Sequence, residues 1–126
     1  YALAHPDAKS DASAVEAQCA SGKMTSAYYS ATLYFEWQKA GTLKIKHAIA
    51  TAGSDMIYMA GIYRIEGNRA ACSILTRPPA DCISHIHNRM PVILPAEATR
   101  DWLNLRYDPN EVLAAALTNM TYYPCS

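Results

Sequence analysis

Met56-Ile57-Tyr58-Met59-Ala60-Gly61-Ile62-Tyr63-Arg64-Ile65, followed by Glu66-Gly67-Asn68, sets the architecture of this chain. Branched and aromatic side chains pack well on a pleated surface, so a run dominated by Ile, Tyr and Met favours strand. Apolar and polar positions do not alternate cleanly, which predicts a strand buried on both faces. Glu66-Gly67-Asn68 supplies a turn, and Ala70 to Thr76 returns as a second buried strand. Pro78-Pro79 then stops both helix and central strand.

The flanks extend the pattern. Met24 to Trp37 is rich in Thr, Tyr and Phe and reads as a strand. Gln38-Lys39-Ala40-Gly41 reads as a turn. Leu43 to Ile49 reads as a half-buried strand, and Ala52-Gly53-Ser54-Asp55 as a turn. Residues 1–12 read as loop. Ser13 and Glu16 form a capping box for a helix from Ala14 to about Gly22. Downstream, Ala80 to Ile86 reads as a short helix or loop and Met90 to Leu94 as a strand. Pro95 to Leu103 is predicted as a helix with Trp102 and Leu103 on its apolar side. Asp108 caps a second helix that starts at Pro109 and runs to Leu117. Met120 to Ser126 is strand-like. Many turn-separated strands with few helices predict an α+β fold on a mostly antiparallel sheet. There is no repeat, low-complexity tract or linker, so residues 1–126 read as one domain.

The 126 residues carry no net charge and 51% are hydrophobic, enough for a real core and too balanced for a global nucleic-acid field. No apolar run is long enough to span a bilayer. The N-terminus lacks the basic and apolar regions of a signal peptide. Cys19, Cys72, Cys82 and Cys125 match neither a zinc motif nor a redox pair. They are expected to be reduced thiols of an intracellular protein.

Two segments carry chemistry. Tyr34-Phe35-Glu36-Trp37 sets one carboxylate among three aromatics, which are expected to shield it from water. Ile83-Ser84-His85-Ile86-His87-Asn88-Arg89-Met90-Pro91-Val92-Ile93-Leu94 sets a histidine two residues from an arginine. Glu and His beside a cation suit acid–base work on an anionic substrate. His85 and His87 share one face if this segment is a strand, yet two ligands without a third make a poor metal site, and no metal or other cofactor is expected. Arg89 has the choice of a phosphate or a carboxylate as partner. Trp37 and Trp102 are expected in the core, with base stacking by Trp37 the weaker reading.

These segments resemble the SRAP family, the SOS-response-associated peptidase domain. The likeness rests on Tyr-Phe-Glu-Trp with Gln-Lys-Ala-Gly, on Tyr-Met-Ala-Gly-Ile-Tyr, on Ile-Leu-Thr and on Ile-His-Asn-Arg-Met-Pro-Val-Ile-Leu, in the family's order. Its best-known members shield abasic sites in single-stranded DNA. The resemblance implies a strongly bent, barrel-like antiparallel sheet with short flanking helices. It implies Glu36 and His87 as catalytic residues, and Arg89, Thr76 and Lys9 as contacts to DNA. Asp7 stands where the family has an active-site Asn, and Leu33 where it has a Gly. The family's nucleophile is an N-terminal cysteine, which closes a thiazolidine on the abasic aldehyde. Tyr1 follows its expected position, and the chain stops before the family's last segments, so the domain is expected to be incomplete at both ends. The implied partner is single-stranded DNA with abasic sites, bound by a monomer away from membranes. Two other readings stay open, a non-catalytic module for single-stranded nucleic acid and a fragment without activity of its own.

Overall fold

The computed structural model of the chain describes residues 24–104 and 106–125. The expected capping box at Ser13, the helix behind it, Asp7, Lys9 and Cys19 lie outside them. Nine strands follow in order: β1 (Thr25–Ala31), β2 (Tyr34–Ala40), β3 (Leu43–Thr51), β4 (Ile57–Glu66), β5 (Arg69–Ile74), β6 (Thr76–Arg77), β7 (Met90–Pro91), β8 (Ile93–Leu94) and β9 (Met120–Pro124). Two short helices, α1 (Thr99–Leu103) and α2 (Pro109–Ala114), and two 3-10 turns, Asp81–Ile83 and Ala96–Ala98, complete the described chain. All ladders are antiparallel. The expected α+β class, with a bent antiparallel sheet and short helices, is what forms.

β4 is the centre of one sheet, as its composition predicts. It pairs with β1 on one edge and shares its other edge between β5 and β8. Alternate side chains enter two cores. Ile57 and Met59 join Ile49 of β3, Met90 and Ile93 in a core between the sheets. Ala60 and Ile62 join Leu75, Leu94, Trp102 and Val112 in a core under the helices. The layers are therefore helices, the β4 sheet, and a second sheet of order β2-β3-β9. Burying a large apolar side chain contributes about 1.5–3 kcal/mol. The fully buried Ile49, Ile57, Leu75, Met90, Ile93 and Leu94 therefore outweigh surface pairs such as Arg64–Glu66, worth about 0–1 kcal/mol.

The bend has a local cause at Ala60, where β4 changes partners. The Leu75 N–H donates to Ala60 O, the Ala60 N–H to Val92 O and the Val92 N–H to Leu75 O, each at 2.9 Å. Three chains meet in this triangle. Beyond it the chain after β5 and the chain before β8 pair with each other as the β6–β7 ribbon, peeling away from β4. That ribbon carries Thr76 and the segment next to Arg89 toward the site.

Gly61 admits no side chain. A Cβ there would lie 2.8 Å from the Ser73 carbonyl oxygen and would overlap the Tyr29 ring edge. At Gly67 the requirement is conformational: its φ of 65° closes the β4–β5 turn in the left-handed region. The Asp108 carboxylate accepts from the Asn110 N–H at 2.9 Å with Pro109 next to it, so the capping signal for α2 was correctly read.

Several expectations need correcting. Met24 to Trp37 is two strands in different sheets, broken at Thr32 and Leu33. The predicted turn at Gln38–Gly41 is mostly β2, which runs to Ala40, so the turn is Gly41 and Thr42. β4 is buried on both faces only over its first part, and β5 is exposed at its start. Met90–Leu94 divides at Val92, which bonds across the triangle. The first helix begins with a 3-10 turn, and Leu103 is 46% exposed while Trp102 takes the buried side. The second helix stops at Ala114.

Candidate functional site

The inner face of the β2-β3-β9 sheet begins as core and ends as cleft. In β2, Tyr34, Glu36 and Gln38 share one face, and in β3 their partners are Ile49, His47 and Ile45. Tyr34 and Ile49 belong to the core between the sheets. One step further along, Glu36 reaches the sheet margin with its side chain 28% exposed.

The segment after the Asp81–Ile83 turn closes the other side. Ile83 and Ile86 anchor it in the core. His85 and His87, flanking Ile86, stay outside the core in a turn and the loop after it, consistent with the expected helix or loop before Met90. His85 packs edge-on against Tyr122 of β9 with ring centroids 5.1 Å apart. His87 turns to β2 and sets Nδ1 3.7 Å from Glu36 Oε2. The cleft between them measures about 570 Å³ and is lined by Glu36, Trp37, Lys39, Lys44 and the stretch from Ser84 to Asn88.

His87 is held for proton transfer in two directions. The Arg89 N–H donates to Nδ1 at 3.2 Å, which suits a neutral ring with its proton on Nε2. The same nitrogen lies 3.3 Å from Arg89 O and faces the Glu36 carboxylate, so a proton on Nδ1 also finds acceptors. The gap to Glu36 exceeds a hydrogen bond, leaving room for a bridging water or a reacting group. Glu36 Oε1 accepts from the Trp37 N–H at 3.1 Å.

Arg89 is anchored through its side chain. Nε and Nη2 both donate to Thr76 Oγ1, at 3.3 and 3.1 Å. The guanidinium's other N–H groups have no hydrogen-bond partner among the described residues. Thr76 is thereby the residue that orients Arg89, a relation that thirteen residues of separation conceal in the sequence. No carboxylate pairs with Arg89 among the described residues.

The aromatic enclosure expected around Glu36 does not form. Strand alternation turns the Phe35 and Trp37 side chains away from that of Glu36, and they are 53% and 50% exposed, Trp37 still forming part of the cleft lining. Trp37 is therefore not core, whereas Trp102 is. Lys39 and Lys44 were overlooked as cleft residues because Gln38–Gly41 looked like a turn; two lysines flanking Gly41 were the available signal. Among the described residues no group of three or more His, Cys, Asp or Glu could hold a metal. Cys72, Cys82 and Cys125 are free thiols.

Tyr34 is the titrating group that the fold perturbs. Burial first, then the Glu36 and Cys82 charges, push its pKa well above the ordinary tyrosine value. Its hydroxyl has no hydrogen-bond partner among the described residues. The unfolded chain ionises Tyr34 near pH ~10, whereas the fold keeps it neutral. Its contribution to stability is full below that pH and is lost as pH rises above it. Tyr34→Phe should therefore flatten the alkaline limb of a melting-temperature profile and cost little at neutral pH. A variant with the parent's alkaline slope would rule Tyr34 out as the cause.

Comparison with known proteins gives a consistent set of relatives. A sequence model of the family described as SOS response associated peptidase (SRAP) matches residues 25–126. The abasic site processing protein YobE of Bacillus subtilis (strain 168) is 33% identical over 90 residues, covering 67% of this chain and 41% of that protein. The abasic site processing protein YoqW of Bacillus phage SPbeta is 33% identical over 90 residues, covering 67% and 40%. This chain thus spans about two-fifths of the length of these relatives. A crystal structure of a Bacteroides thetaiotaomicron protein superposes with a TM-score of 0.69 at 26% identity, over 81% of this chain and 50% of the other. A phage-related protein from Bordetella bronchiseptica superposes with a TM-score of 0.70 at 20% identity, over 99% and 68%, and speaks to the fold alone.

Proposed function

This chain belongs to the SOS response associated peptidase (SRAP) family, and on that premise we propose that it recognises abasic sites in DNA, in single strands. One observation carries the reading. Glu36 and His87, fifty-one positions apart, meet at 3.7 Å in one cleft, and two residues after His87 stands Arg89, whose guanidinium has no carboxylate partner among the described residues.

The chemistry divides among these residues. An abasic site equilibrates between a closed sugar and an open-chain aldehyde. Ring opening needs a proton on the sugar oxygen and the loss of one from the hydroxyl. His87 supplies the first and Glu36 accepts the second. Attack of an amine on the aldehyde then needs protons removed from nitrogen and added to oxygen, and Glu36 shuttles them. Arg89, oriented by Thr76, holds a flanking phosphate, and Lys9 adds a second cation. The family resemblance implies a cysteine nucleophile at a position before Tyr1, and Asp7 lies outside the described residues. What these described residues contribute is acid–base work and phosphate binding. In the family, the covalent link and the release of the N-terminal residue depend on that cysteine.

The test is intact mass spectrometry of the full-length protein with a single-stranded oligonucleotide carrying one abasic site. An undamaged strand and an abasic duplex serve as controls. The expected result is a stable adduct with the abasic single strand alone. Salt-sensitive binding of damaged and intact strands alike, with no adduct, would overturn the reading and leave a strand-binding module.

A further inference from the structure

The β2–β3 hairpin carries a concentration of charge that the acid–base pair does not use. The register sets Lys39 directly opposite Lys44, and Lys46 opposite Trp37. Directly opposed residues of an antiparallel pair project on one face, and like charges placed so are destabilising. Among the described residues no carboxylate pairs with any of the three. The chain as a whole is neutral, with 11 basic and 11 acidic residues, so this strip is a local concentration rather than a share of a general field. A fold that keeps opposed cations without a counter-charge suits an anionic partner.

The neighbouring side chains describe that partner. The Lys46 ammonium lies 4.2 Å from the Phe35 ring centroid and 6.0 Å from that of Trp37, on the outer face of the sheet. Lying against the rings restricts the flexible lysine stem, so less entropy is lost when a ligand orders it. Tyr123 continues the exposed aromatic row across Ala48 on β9. The strip is also continuous with the cleft, since Lys39 and Lys44 line it together with Glu36 and His87. Lys44 and Lys46, two residues apart on one strand face, are spaced by about 7 Å. Repeated anionic groups at that order of spacing are the sugar-phosphate backbone of an extended strand.

We propose that Lys39, Lys44 and Lys46 form a phosphate-binding strip that carries a nucleic-acid strand out of the cleft and across the outer face of β2 and β3. This rests on the reading that the cleft receives a DNA strand. It adds a second stretch of backbone contact, away from the one at Arg89 and Thr76.

The experiment measures how binding of unmodified oligothymidylate to the full-length protein depends on salt, for the parent and for the K39Q/K44Q/K46Q variant. Each phosphate neutralised on a single strand contributes about 0.7 to the slope of log affinity against log salt, so the variant should lose about 2 from that slope. Its melting temperature should equal or exceed the parent's, because the opposed charges are gone. An unchanged slope in a folded variant would overturn the strip, even if the parent captures abasic sites. A reduced slope with no preference of the parent for abasic strands would keep the strip and remove the abasic-site reading. Failure of the parent to bind either strand would remove both. Should the triple variant fail to fold, Lys46→Gln alone, expected to lower the slope by about 0.7, decides the matter.

Discussion

Glu36→Gln in the full-length protein should slow capture of an abasic single strand by about 10²–10⁴-fold, with the affinity for that strand nearly unchanged. The amide keeps the size and the acceptor oxygen for the Trp37 N–H but can no longer take up a proton. His87→Ala should fall in the same range, because it removes the partner facing Glu36 at 3.7 Å. The two losses should not add in the double variant, since the proposed mechanism has both residues handle protons of one reaction. Arg89→Ala should instead weaken binding, because the proposed phosphate contact is made by the guanidinium that Thr76 holds. Adduct formation followed over time by mass spectrometry, alongside equilibrium anisotropy, separates the two kinds of loss. Capture at the parent rate by both Glu36→Gln and His87→Ala would sink the acid–base assignment while leaving phosphate binding intact.

Trp102→Ala should cost about 3–5 kcal/mol of stability and leave much of the protein unfolded at physiological temperature. Trp102 is 3% exposed and fills the core beneath the helices with Ala60, Ile62, Leu94 and Val112. Its indole N–H also donates to Ala27 O at 2.7 Å and to Gly61 O at 3.2 Å, tying α1 to the paired strands β1 and β4. Truncation opens a cavity and strips a buried donor from two carbonyls at once. Against a total of about 5–15 kcal/mol, that is a large share. Trp102→Phe keeps most of the packing, and losing the hydrogen bonds should cost about 1–3 kcal/mol. Urea unfolding of the three proteins measures both steps. A Trp102→Ala protein with the parent's midpoint would mean that the core closes over the gap.

The errors of sequence reading share a cause. Met24 to Trp37 has strand composition throughout, and nothing local says that residues before Thr32 pair with β4 while those after Leu33 pair with β3. Gln38 and Lys39 look like turn residues because they are polar; they are strand residues at the margin of a sheet and in reach of solvent. Trp37 reads as core, yet it is half exposed because alternation along β2 turns its side chain outward. In each case the residue's own propensity was read correctly, and its surroundings, which come from distant strands, overrode the inference.

The features legible without coordinates depend on near neighbours. Left-handed turns at Gly41 and Gly67 need glycine, the Asp108–Pro109 pair starts a helix, and the first part of the β4 run is buried on both faces. The ordered motifs around Glu36 and His87 identified the family for the same reason, because a motif is contiguous. No contiguous stretch contains the contact of Glu36 with His87, the grip of Thr76 on Arg89, or the opposition of Lys39 and Lys44. Those depend on register and on where β4 changes partners at Ala60. Both are set by the summed packing of two cores whose members lie far apart in the chain, and that sum has no local signature.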